Sequence, residues 1–132
     1  MRIMLDTNIL ISIAIFHSNT LKELLVNICD HHTLVLSSYI IEELKDVVKK
    51  KFPNKSNHLN QFLYQIPYEL NYIPLEVLSN CDIRIRDKKD LPILHSAILS
   101  DVDIFITGDK DFKDISIEKP EILTASEFLE KY

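Results

Sequence analysis

The sequence predicts an α/β fold in which a central parallel sheet of four to five strands is covered by helices on both faces, as a three-layer α/β/α sandwich. Short apolar runs typical of buried strands alternate with longer segments whose apolar residues recur at helical spacing. The connections between the apolar runs are too long for hairpins, so consecutive strands are expected to be parallel. At 132 residues the chain has the length of one domain, and we treat residues 1–132 as a single domain.

The first half of the chain is predicted to alternate strands and helices. Each predicted helix up to residue 50 follows residues of the types that cap helix N-termini. The predicted elements are a strand at 2–5, helices at 8–16 and 19–29, a strand at 33–36, a helix at 38–50, a weaker helix at 55–65 and a strand at 70–73. The candidate caps are Asn8, Asn19 or Thr20, and Ser37 with Ser38.

The second half begins with a polar connection at 79–90. A helix is predicted at 90–100, with Pro92 tolerated in its first turn, and an apolar strand at 103–107 ends at Gly108. A last short strand is predicted at 122–123. It is followed by Thr-Ala-Ser-Glu at 124–127, a capping box that opens a terminal helix.

Composition excludes several classes of protein. The single glycine excludes Gly-rich phosphate loops and dinucleotide fingerprints, which need several glycines at fixed offsets. Cys29 and Cys81 lack metal or redox spacing and are interpreted as reduced thiols. No apolar stretch approaches the ~20 residues that span a bilayer, and no secretory signal opens the chain. We therefore expect a cytoplasmic protein without membrane contact.

The net charge of −5 argues against bulk attraction to nucleic acid. Two groups of basic residues nevertheless stand out, although solvated helix and loop faces explain each group when it is taken alone. The first group is Lys45, Lys49, Lys50, Lys51 and Lys55, and the second is Arg84, Arg86, Lys88 and Lys89.

Acidic residues follow two of the predicted strands. Asp6 comes directly after the first strand, and Asp109 comes just after the strand at 103–107. Parallel sheets place their sites beyond the carboxyl ends of their strands, so these two carboxylates are candidate site residues. In the helix at 38–50, Glu43 borders the apolar stripe whereas Glu42 lies on the outer face. Asp103 begins its strand at the opposite edge and is interpreted as structural.

Two further acids are candidates with simpler alternatives. Asp90 begins the helix at 90–100, where an aspartate is also an excellent N-cap, and Asp111 lies in the turn after Asp109. Converging carboxylates are costly unless a cation neutralises them, and hard oxygen donors without cysteine or clustered histidine suit Mg²⁺ or Mn²⁺.

Four segments, in order, resemble the PIN domain family: "MLDTNILI", "SSYIIEEL", "DLPILHSAI" and "DIFITGDKDF". The resemblance covers essentially the whole chain. Its length and the closing "ILTASEFL" are most similar to the small prokaryotic PIN proteins that act as toxin components of toxin–antitoxin pairs, the relatives of VapC.

The resemblance implies a Mg²⁺- or Mn²⁺-dependent ribonuclease with a Rossmann-like sandwich. Its acidic site corresponds to Asp6, Glu43, Asp90 and Asp109, with Asn8, Thr107 and Asp111 in support. Asp87 and Glu42 remain alternatives to Asp90 and Glu43, and His95 is expected to be structural. The resemblance also implies an RNA substrate, a homodimer and an antitoxin partner.

The expected activity is endonucleolytic cleavage of RNA by a metal-activated water, leaving 5′-phosphate and 3′-hydroxyl ends. The main alternative is a non-catalytic PIN module that binds RNA or supports assembly. A HAD-like phosphatase ranks lower because it needs a second acid where Asn8 stands, and a receiver-type phospho-acceptor lacks its paired acids and lysine.

Overall fold

The computed structural model describes residues 1–78, 91–112 and 115–132. Its centre is a five-stranded sheet with the strand order β3-β2-β1-β4-β5, in which every neighbouring pair is parallel. The strands are β1 (Arg2–Leu5), β2 (Thr33–Ser37), β3 (Glu69–Asn71), β4 (Ile104–Ile106) and β5 (Glu121–Leu123). The α/β sandwich with a parallel sheet of four to five strands is therefore confirmed.

Seven α-helices lie in the described part of the chain. They are α1 (Thr7–Ala14), α2 (Asn19–His31), α3 (Ser38–Lys51), α4 (Ser56–Gln65), α5 (Leu75–Leu78), α6 (Leu91–Leu99) and α7 (Ala125–Lys131). The capping box of the last helix is confirmed, since Thr124 accepts from the backbone N–H of Glu127 and the Glu127 side chain accepts from that of Thr124.

Two predicted helix caps are wrong by one or two residues. Asp6, not Asn8, caps α1, because the Asp6 carboxylate accepts a hydrogen bond from the backbone N–H of Thr7. Ser18, rather than Asn19 or Thr20, caps α2 by accepting from the N–H of Leu21. Several residues in these stretches are good caps, so composition alone does not select among them.

The strand predicted at 70–73 is observed as β3, one residue earlier and shorter. The single-turn helix α5 and the 3-10 helices Pro53–Lys55 and Lys110–Phe112 were not predicted, because elements of three or four residues have no period to detect. Asp90, the predicted cap of α6, lies outside the described residues.

The sheet has a topological switch point between β1 and β4. From β1 the chain moves to β2 and β3 on one side, and it then returns to add β4 and β5 on the other. Leu5 is paired with Ile106, so β1 and β4 end at the same level. Open α/β sheets bind ligands at the carboxyl ends of strands where the order reverses, and Asp6 and Thr107 are the next residues at this edge.

The opposite edge of the sheet is held by charged groups. The backbone N–H of Arg2 donates to Asp103 Oδ2 at 2.8 Å, and the Lys119 ammonium lies 3.3 Å from Asp103 Oδ1. These contacts, led by the hydrogen bond from Arg2, lower the pKa of the Asp103 carboxyl. The structural interpretation of Asp103 agrees with this geometry.

Among the described residues, no single helix is long and apolar enough to cross a membrane. By length and composition the α1–α2 pair would pass that test together, but the two helices meet at a bend of 111°.

Candidate active site

Asp6 is a buried carboxylate at the carboxyl end of β1. Only 5% of the residue is exposed, because the strand before it and the helix after it belong to the core. Its Oδ1 accepts from the N–H of Thr7 at 2.7 Å, and its Oδ2 accepts from the hydroxyl of Thr107 at 2.7 Å. Each oxygen therefore has one donor, and the orientation of the carboxylate is fixed by two neighbouring strand ends.

Thr107 connects Asp6 to the turn after β4. Its hydroxyl oxygen also accepts from the backbone N–H of Asp109 at 3.0 Å, and the Asp109 carboxylate accepts from the N–H of Asp111 at 2.9 Å. Thr107 is itself buried, so this chain of hydrogen bonds begins inside the protein and ends at the half-buried Asp109 and Asp111. The arrangement sets the position of Asp109 relative to Asp6.

Burial is the main reason that the pKa of the Asp6 carboxyl is raised. The negative charges of Glu43 and Asp109 raise it further, while the hydrogen bonds from Thr107 and Thr7 lower it. Asp6 therefore experiences both neighbouring carboxylates electrostatically. The three acids belong to one region of negative potential at the switch point.

Glu43 reaches this region from the second turn of α3. The helix starts directly at the carboxyl end of β2, where Ser37 caps it by accepting from the N–H of Ile40. Glu43 is half-buried, whereas Glu42 is exposed on the outer face. This difference is the one expected from the helical periodicity.

Asn8 is exposed in the first turn of α1. Together with Ser12, Gly108 and Asp109 it lines a cavity of about 320 Å³. A larger cavity of about 770 Å³ lies on the other side of Gly108 and Asp109, against β5 and the start of α7. A side chain at Gly108 would meet no atom within 4 Å, so the turn that carries Asp109 faces open space.

The remaining predicted residues lie elsewhere. Asp90 and its alternative Asp87 fall outside the described residues, as does the second basic group at 84–89. His95 is half-buried on α6, and its Nδ1 lies 3.2 Å from the carbonyl oxygen of Leu78 in α5. This contact gives His95 a structural environment, as expected.

The carboxylate oxygens at this edge of the sheet are the type of ligand that a hard divalent cation prefers. All candidate ligands are carboxylate oxygens, and the described residues offer Asp6 two hydrogen-bond donors but no cationic partner. Within 1–78, 91–112 and 115–132, no group of three His, Cys, Asp or Glu side chains is arranged to hold a metal ion by itself.

Sequence reasoning missed a buried hydroxyl pair that joins the start of α3 to α6. Ser37, at the end of β2, donates to Ser96 of α6 at 2.9 Å, and both residues are fully buried. Serine is ordinary at a helix cap and in a helix, so only the contact between the two distinguishes them.

These features define an α/β protein with an acidic site at the switch point of a parallel sheet. A model of the PIN domain matches residues 2–111. The chain belongs to the PIN domain family.

The fold also matches a chain of the crystal structure of VapBC2 from Rickettsia felis bound to a DNA fragment from their promoter. The TM-score is 0.70 at 25% sequence identity, and the match covers 93% of this chain and 97% of that chain. No curated protein matches the chain in sequence.

Proposed function

We propose that this PIN domain is a divalent-metal-dependent endoribonuclease that cleaves RNA phosphodiester bonds by means of an activated water. The observation that supports it most is the buried Asp6 carboxylate, which Thr107 ties to the turn of Asp109 and which experiences the charge of Glu43. A buried acid among other acids is costly to folding. Binding of a cation to this carboxylate would offset that cost.

Asp6, Glu43 and Asp109 would hold Mg²⁺ or Mn²⁺ together with Asp90. The bound cation would supply positive charge to the phosphate oxygens and lower the pKa of a water. Thr7 and Thr107 orient Asp6 by donating to one oxygen each, which leaves the remaining lone pairs of both oxygens for the metal. The turn at Gly108 leaves room for the substrate beside Asp109.

RNA binding is proposed to involve the lysines at the end of α3. Lys49, Lys50 and Lys51 occupy its last turn and are exposed. Their charges also stabilise the helix end, so phosphate binding is an additional role. Contacts of this kind release counterions, and RNA affinity should fall steeply as salt concentration rises.

Incubation of the purified protein with defined transcripts tests the activity. With Mg²⁺ or Mn²⁺ we expect internal cleavage that leaves 5′-phosphate ends, and we expect none after removal of divalent ions with EDTA. Restoring the metal should restore cleavage. RNA that is bound but not cut under all metal conditions would support the alternative of a non-catalytic PIN module. The PIN family match leaves the phosphatase alternative without support.

We also propose that the chain is the toxin of a type II toxin–antitoxin pair, acting on RNA in the cytoplasm. The match to a chain of the VapBC2 structure supports this assignment. A small neighbouring reading frame whose product co-purifies with the chain and suppresses cleavage would be the antitoxin. Its absence would remove the toxin assignment but not the nuclease.

A homodimer is proposed through four exposed apolar side chains, those of Leu70, Tyr72, Leu75 and Val77. Tyr72 is 75% exposed and Leu75 is 71% exposed, and both line a groove beside α3. Along one side of α3, exposed Glu42 and Asp46 precede Lys49. Two copies of α3 crossing antiparallel would therefore bring opposite charges together, which favours a second copy as the partner of this face.

Leu75→Glu should convert the dimer into a monomer, because a charge would have to be buried in the interface. Sedimentation velocity of the chain alone is the measurement. Tyr64→Glu, which changes a 91% exposed residue of α4, is the control and should remain dimeric. A wild-type protein that sediments as a monomer would contradict the proposal.

A further inference from the structure

The hydroxyl groups of Ser37 and Ser96 form a closed, fully buried chain between α3 and α6. Ser96 Oγ donates to the carbonyl oxygen of Ile93 at 2.8 Å and accepts from Ser37 Oγ at 2.9 Å. Ser37 Oγ accepts from the N–H of Ile40 at 3.2 Å. The hydroxyl hydrogens of Ser37 and Ser96 both have an acceptor, so the hydrogen-bonding capacity of this buried pair is satisfied in this geometry.

This pair joins α6 to the start of α3, which follows the carboxyl end of β2. Ser37 is the cap of α3, six positions before Glu43, and Ser96 is in α6, which starts directly after Asp90. A second contact fixes the other side of the α3 start, since the N–H of Ile73 donates to Ser38 Oγ at 2.9 Å. The first turn of α3 is therefore held from two directions.

Net stabilisation is a weak explanation for the pair. The Ser37 hydroxyl is explained by its role as the cap of α3, but that cap does not require a hydroxyl at Ser96, and the hydrogen bond between the two replaces hydrogen bonds to water. A hydrogen bond between two hydroxyl groups, in contrast, forms at one distance and one orientation, so sliding of one helix along the other would cost free energy.

We infer that Ser96 is a positioning residue for the acidic site, which it serves by fixing the start of α3, and thereby Glu43, relative to α6. The inference rests on the proposed metal-dependent function. Ser96 does not touch substrate or metal and acts through Ser37. Small displacements of a ligand-bearing helix are sufficient to weaken metal binding.

Ser96→Ala is the test variant, and Ser100→Ala is its matched control. Ser100 is also a buried serine, just beyond the end of α6, and its hydroxyl accepts from Asn71 Nδ2 at 2.9 Å. Both substitutions remove one buried hydroxyl that accepts a hydrogen bond from another side chain. Only the first changes the link to the start of α3.

Mn²⁺ affinity, measured by calorimetry on the folded metal-free protein, is the main readout. We expect Ser96→Ala to weaken it by up to about tenfold, the lower end of the effect of removing a direct outer-shell partner, because Ser96 acts through Ser37, and we expect Ser100→Ala to leave it unchanged. Backbone amide shifts at 38–46, recorded without metal, should move in Ser96→Ala alone. Thermal unfolding checks that both variants are folded.

Equal Mn²⁺ affinities in the two variants, with unchanged amide shifts at 38–46, would overturn the inference and leave the pair a structural one. Failure of the wild type to bind Mn²⁺ would contradict the proposed function instead. The inference would then fall as well, because a positioning role for a metal site requires that the site binds metal. If Ser96→Ala does not fold, Ser96→Cys, which retains a weaker donor and acceptor, is compared with Ser100→Cys by the same two readouts.

Discussion

Replacing Asp6 by asparagine is expected to abolish RNA cleavage while leaving the protein folded. The change removes the most buried of the described carboxylates in the proposed cation site, and several kcal/mol of charge stabilisation in the transition state depend on that site. We expect a loss of about 10³-fold or more in the rate of cleavage, which corresponds to about 4 kcal/mol. Gel assays of a defined transcript at saturating Mn²⁺ measure it.

The fold should survive because an asparagine can contact the same two partners. Its carbonyl oxygen can accept from the N–H of Thr7, and its amide can donate to the Thr107 hydroxyl oxygen, which reverses the present hydrogen bond and leaves the Thr107 hydroxyl hydrogen to turn to another acceptor. The α1 cap is retained, since asparagine is as good a cap as aspartate.

The variant should also be more stable than the wild type at neutral pH without metal. Burial and two neighbouring acids raise the pKa of Asp6 in the folded protein above its unfolded value. The stabilisation that comes from this raised pKa is fully present below the unfolded pKa and is lost as pH rises through the folded pKa. Asparagine stays neutral at every pH, so the difference in unfolding free energy should shrink at acidic pH.

Asp103→Asn is the control for Asp6→Asn. Asp103 lies at the opposite edge of the sheet and is held by Arg2 and Lys119. This variant should cleave RNA at the wild-type rate but lose stability. Undiminished metal-dependent cleavage by clean Asp6→Asn protein would contradict the proposed site.

Glu43→Gln is expected to reduce cleavage by at least about 100-fold, whereas Glu42→Gln should cleave normally. Removal of an outer-shell partner of a metal ligand reduces metal affinity or activity by up to about 100-fold. Removal of a residue that binds the metal directly should reduce them at least as much. The two residues are adjacent and carry the same charge, but only Glu43 is half-buried on the side of α3 that acts on Asp6. Comparison of the two variants therefore distinguishes an effect of side-chain position from an effect of net charge.

Cleavage rates at fixed Mn²⁺, together with Mn²⁺ affinities, are the measurements for the two glutamate variants. Without metal, Glu43→Gln should be at least as stable as the wild type, because it removes a charge that acts on Asp6, and Glu42→Gln should unfold like the wild type. A loss of activity in Glu42→Gln with normal Glu43→Gln would reverse the assignment on α3. An equal loss of cleavage in the two variants would indicate that cleavage depends on the net negative charge of α3 and not on the position of either glutamate.

Part of this picture could be read from residue types and spacing. The buried strand at Arg2–Leu5 and the periodic apolar residues of α3 indicated a parallel sheet with covering helices, and this was confirmed. Helical periodicity also separated Glu43 from Glu42. The spacing of apolar residues within one helix or strand indicates which side of that element is buried, because each element turns one side toward the core.

Other features could not be read in this way. Asp6 is both a helix cap and a buried acid, and residue type offers no reason to prefer it over Asn8 as the cap. The contact of Ser37 with Ser96 joins residues 59 positions apart, so no local pattern contains it. The strand order was likewise open, because several arrangements of five parallel strands satisfy the same apolar pattern.

Residue types and spacing were sufficient for the fold class and for the acids that follow the strands, because each of those conclusions depends on burial or chain direction within one element. The three-dimensional arrangement was needed to make β1 and β4 neighbours, and with this to show that Thr107 donates to Asp6 and positions Asp109. Hydrogen bonds and charge effects act over a few ångströms of space, and strand order decides which distant residues come that close.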